Sequence, residues 1–115
     1  MLTDFGKLCR KMRIDRNELL ADMAKKVYVS PAFLSAVENG KRNVPSTLLE
    51  ALEAAYNLSE VECKDLRMAA ERSVRQIKIE LEQMDDDSRN LVLAFARNID
   101  KIDEQRRKKL MELLK

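Results

Sequence analysis

The side chains of this chain equipped for chemistry are two cysteines, an acidic run Asp85-Asp86-Asp87 and a basic run Arg106-Arg107-Lys108-Lys109; histidine is absent from all 115 residues. Without His there is no Ser–His or Cys–His pair to generate a nucleophile, no imidazole base and no imidazole metal ligand. Two Cys cannot fill a four-ligand zinc site without carboxylates. Cys9 and Cys63 lie far apart in helix-like patterns, outside any Cys-x-x-Cys pair. They read as reduced, partly buried packing residues of a reducing compartment. Three acids at a helix start read as a cap and dipole partner rather than a cation site. The basic run, flanked by Glu104 and Glu112 on an amphipathic pattern, reads as a solvated face. No catalytic residue, metal or cofactor is expected, so the chain is not read as an enzyme.

Charge is distributed unevenly. The whole chain carries only +2, yet residues 1–45 hold nine Lys or Arg against five Asp or Glu, a net of +4, and the remainder is at −2. The N-terminal part is therefore the candidate for a polyanionic partner. A content of 45% apolar residues, interleaved with balanced charges, supports one modest folded core. No apolar run exceeds the six residues Leu91–Ala96, and residues 1–20 lack a signal-peptide core. A soluble, unexported, cytoplasmic protein without membrane association is expected.

The elements that must position these charges are short helices. Leu2, Phe5, Leu8, Cys9 and Met12 mark helix 1, with Thr3 or Asp4 as its cap. Asp15 and Glu18 resemble a capping box opening helix 2, whose stripe is Leu19, Leu20, Met23, Ala24 and Val27. Ser30-Pro31 pairs an N-cap with a proline at the first helical position and starts helix 3, which Gly40 ends. Ser46 or Thr47 caps helix 4, and Ser59-x-x-Glu62 opens helix 5, which runs to about Arg72. Residues 1–72 thus form an all-α domain of five helices. Helices 2 and 3, joined by a tight turn, have the layout in which the second helix enters the DNA major groove.

The run Val29-Ser-Pro-Ala-Phe-Leu-Ser-Ala-Val-Glu-Asn-Gly-Lys-Arg42, followed by Pro45 and a Leu-rich helix, resembles the signature of Xre-type, lambda-repressor-like regulators. Ser30, Leu34, Ser35, Glu38, Gly40 and Arg42 all fall in register, and the resemblance covers about residues 2–70. It implies the five-helix fold, double-stranded operator DNA as partner, binding as a homodimer, and repression or autoregulation. It also implies that Glu38 is the buried acid that pairs with an Arg of helix 1, for which Arg10 is the candidate. The DNA-facing surface of helix 3 is then Pro31, Ala32, Ser35, Ala36 and Asn39, opened by Ser30. Pro31, Ala32 and Ala36 have no side-chain hydrogen-bonding group, so direct readout falls to Ser35, Asn39 and contacts with thymine methyls, with DNA shape supplying the rest. Lys41, Arg42 and Asn43 are the expected phosphate contacts. The acids at the start of helix 2 depart from the family, which typically offers Gln there, and repel a phosphate. Tyr28 stands where the family usually has Gly.

Residues 73–115 read as a dimerisation segment. Ile77-Lys-Ile-Glu-Leu81 alternates apolar and charged residues, which predicts a short strand over 75–81, although Val74, Ile77, Leu81 and Met84 also suit one helix face. A lone strand needs a partner, so Ile77, Ile79 and Leu81 are expected to pair across a two-fold axis, with Leu91 and Phe95 of the following helix packing around them. Two C-terminal helices follow, the second capped by Asp103. Alternative functions are an antitoxin or regulatory half of a two-gene module, with a protein partner encoded nearby, and an interaction module that has lost DNA readout.

Overall fold

Four left-handed residues set the joints of the N-terminal helices. In the computed structural model, which describes residues 1–115, Asn17, Tyr28, Gly40 and Asn57 have φ of 54°, 62°, 75° and 49°. Each stands two positions beyond the end of a helix: α1 (Asp4–Asp15), α2 (Leu20–Lys26), α3 (Pro31–Glu38) and α4 (Ser46–Ala55). The next N–H along then reaches back to the helix's third-last carbonyl, as Glu18 N does to Arg13 O at 2.9 Å and Lys41 N to Ala36 O at 2.9 Å. This closure satisfies carbonyls that a helix end leaves without partners.

Side-chain caps open α1, α3 and α5 (Glu60–Arg72), whereas α4 starts after Pro45 without one, with Ser46 and Thr47 already inside the helix. Thr3 Oγ1 accepts from Gly6 N at 3.1 Å, and Ser30 Oγ accepts from Phe33 N at 3.0 Å with Pro31 at the first helical position. Ser59 and Glu62 form a reciprocal box that opens α5. Helix α2 departs from expectation. Asn17 ends α1 only after Asp15, so Asp15 closes one helix instead of opening the next, and Asp22 accepts the Leu19 N–H at 2.8 Å.

The core is one cluster. Phe5, Cys9, Met23, Leu34, Val37, Leu48, Leu52, Leu66 and Ala69 are buried, drawn from all five helices. Full burial of a Leu-sized side chain contributes about 1.5–3 kcal/mol. Burial pushes the Cys9 thiol pKa well up, with the nearby Glu38 charge adding to the shift. Helices α1 and α3 meet closely at Gly6, where any Cβ would run into the Glu38 carbonyl.

The expected strand is absent, and so is a helical continuation of α5: residues 74–81 have neither form, and the chain contains no strand. Ser73 ends α5, its hydroxyl donating to Ala69 O at 2.7 Å and its N–H to Ala69 O and Ala70 O. An alternating pattern becomes a strand only where another strand supplies its ladder, and none does. Ile77 and Ile79 lie exposed on irregular backbone, with Leu81 half-buried, so the strand through which these three were expected to pair is absent.

Two compact units result, Met1–Ile77 and Lys78–Lys115. The second consists of α6 (Asp86–Asn98), a single 3-10 turn at Ile99–Lys101, and α7 (Glu104–Leu114). Asp85 caps α6 and Asp103 caps α7, accepting from Ser88 N at 2.7 Å and Arg106 N at 2.8 Å. Neither helix buries a residue fully: Leu91 is 68% exposed and Phe95 46%.

Candidate nucleic-acid interface

Helix α3 is held at its C-terminal end by one residue, Glu38, in two ways. Its carboxylate receives a two-pronged hydrogen bond from Arg13, Nη1 to Oε2 at 2.6 Å and Nη2 to Oε1 at 3.0 Å, in a site where both side chains are nearly covered. Its carbonyl accepts from both Thr3 N and Thr3 Oγ1, each at 3.0 Å. The partner is thus Arg13, whereas Arg10 lies exposed. Phe5, Cys9 and Arg13 recur every four residues and share the buried face of α1, a spacing that puts Arg10 outside it. The hydrogen bonds to Glu38 raise the Arg13 pKa above its usual value, outweighing the opposing effect of burial.

Leu34 and Val37 face the core, which leaves Pro31 and Ala32 exposed and Ser35, Ala36 and Asn39 half-exposed on α3. Asn39 is partly committed: its Nδ2 donates to Ser35 O at 2.9 Å and lies 3.4 Å from Ser35 Oγ. The two side chains expected to read bases are therefore joined to each other, leaving the Asn39 carbonyl oxygen free to accept and the Ser35 hydroxyl free to donate.

Beyond α3, Lys41 and Arg42 are exposed, and none of the chain's ion pairs uses them. The 2.9 Å bond from Lys41 N to Ala36 O fixes where the loop leaves the helix. Arg42 stands over the Phe33 ring, 5.7 Å from its centroid, while Phe33, partly buried, packs against the core. Such a contact is worth about 0.5–1 kcal/mol at an exposed site and orients the guanidinium. Asn43 donates to the carbonyl of Gln76 at 2.8 Å, so this expected phosphate ligand also holds the segment after α5. That segment brings Arg75 against Gly40, a proximity no sequence pattern signals.

At the start of α2, Asp22 occupies the helix N-terminus and Glu18 turns inward, its Oε2 2.5 Å from Lys26 Nζ. Lys26 and Arg16 also lie over the Tyr56 ring, each 5.0 Å from its centroid. Burial, followed by the Glu18 carboxylate, raises the Tyr56 phenol pKa. Tyr28, in the α2–α3 turn, is 92% exposed in its left-handed conformation.

No helix is long and apolar enough to cross a membrane, and no group of three or more Cys, Asp or Glu is arranged to hold a metal. A family model described as helix-turn-helix matches residues 7–63, which span α1 to the first turn of α5. No curated protein and no solved structure matches the chain.

Proposed function

Because this chain belongs, through residues 7–63, to the Xre, lambda-repressor-like helix-turn-helix family of DNA-binding regulators, we propose that it is a sequence-specific repressor or autoregulator that binds operator DNA as a homodimer. The observation that carries this reading is the pairing of an exposed, firmly capped α3 with two unpaired cations in the loop after it. In this reading α3 lies in the major groove with Pro31, Ala32, Ser35, Ala36 and Asn39 toward the bases. Lys41, Arg42 and Asn43 meet phosphates. Few base-reading groups mean that thymine methyl contacts and DNA deformability carry much of the discrimination.

Two copies supply the affinity that one lightly charged domain lacks. Support for pairing comes from Leu91 and Phe95 of α6 and Ile99 just beyond its end, which recur every four residues and remain exposed. The same exposed face supports a second reading, in which the chain is the regulatory half of a two-gene module and α6 receives a protein partner.

Gel shifts on the chain's own upstream region test the first reading. Arg42→Ala should weaken binding to every duplex, whereas Ser35→Ala should weaken cognate DNA preferentially. Absence of any shift at low salt would remove DNA from the account.

A further inference from the structure

Resting on the reading of α3 as the recognition helix, we propose that Arg75 is a third phosphate-binding cation of the interface, delivered there by the segment that leaves α5. The chain is turned at Ser73, and Val74 N bonds Glu71 O at 3.2 Å. From there it runs against the C-terminal end of α3, where the Asn43 amide holds the Gln76 carbonyl at 2.8 Å. That bond joins residues 33 positions apart. Arg75 lies beside Gly40, with its Nη2 and Cζ at contact distance, 3.4 and 3.5 Å, from where a Cβ of Gly40 would stand.

The result is a groove walled by Gly40, Lys41, Arg42, Asn43, Arg75 and Gln76. It gathers three cations and no carboxylate, and none of the three is used in an ion pair. The neighbouring Arg72 differs, since Asp4 Oδ2 takes its Nε at 3.1 Å. Like charges gathered in a concavity repel one another until an anion enters. The groove opens beside the loop that follows the recognition helix, where the DNA backbone passes in a docked helix-turn-helix. A DNA phosphate is therefore its occupant, and the contact is indifferent to sequence.

The experiment uses the full chain and measures fluorescence anisotropy on two duplexes, one of mixed sequence and one from its own upstream region, across a salt series. Arg75→Gln should weaken both duplexes alike and lower the slope of log affinity against log salt by about 1 per bound protomer. Arg75→Lys, which keeps the charge, should retain the slope. Lys64→Gln, an equal loss of charge on an exposed position of α5, should leave it unchanged. Circular dichroism checks that each variant is folded. If Arg75→Gln keeps the wild-type slope while Arg42→Ala lowers it, Arg75 is no contact and the helix-turn-helix reading stands. Failure of the wild-type chain to bind either duplex at low salt overturns both.

Discussion

Arg13 of α1 and Glu38 of α3 tie these two helices together, and their burial makes them costly to separate. Arg13→Met alone leaves a carboxylate covered and unpaired, which should destabilise the domain by about 3–5 kcal/mol. Arg13→Met combined with Glu38→Leu should recover most of that loss, because two charges then leave the interior together; urea unfolding of the single and double variants checks this. Cys9 supplies a second test. Its pKa is higher folded than unfolded, so its contribution to stability is complete below the unfolded thiol value and is lost as pH rises. The thermal midpoint should hold steady to about pH 8.5 and then fall, and Cys9→Ala should flatten the first part of that fall; Tyr56, raised in the same sense, acts from about pH 10. Glu38 could be identified from the sequence because it falls in register with a known motif. Its partner was misassigned to Arg10, although the four-residue spacing of Phe5, Cys9 and Arg13 places Arg13 on the buried face of helix 1.

At the scale of elements, the helix boundaries were legible wherever a side chain announced them. Ser30-Pro31, Gly40 and Ser59-x-x-Glu62 mark α3 and α5 because their chemistry suits few other positions. The start of α2 was obscured, since Asn17 adopts the left-handed conformation without a glycine to signal it. Tyr28 is the converse case, a bulky residue in that conformation with almost its whole side chain in solvent. Tyr28→Gly should therefore stabilise the domain by about 1 kcal/mol, read as a higher denaturation midpoint, if the ring makes no contact that offsets the strain. The alternation in Ile77–Leu81 misled for a different reason. Period two describes which side chains would share a face, but a strand exists only with a neighbour, and the Asn43 amide holds the backbone only just ahead of this run, at Gln76.

For the whole molecule, the division after Ile77 separates a unit with a closed core from one whose helices bury nothing completely. Residues 1–77 should fold alone and remain monomeric, whereas the full chain should show twice its mass by size exclusion with light scattering. Phe95→Asp, which places a charge on the exposed face of α6, should return the full chain to one copy. Stable dimers of residues 1–77 would move the pairing surface away from α6. The chain has only two glycines, and both stand at the contact between α1 and the end of α3: Gly6 beneath the Glu38 carbonyl, Gly40 beside Thr3. With that joint locked, α3, the proposed recognition helix, is tied to its domain as one head and is not a finger that an effector can swing. If the chain pairs as proposed, control would act on the reach between two heads, and an effector would be sought at the pairing surface rather than inside the core of the N-terminal domain.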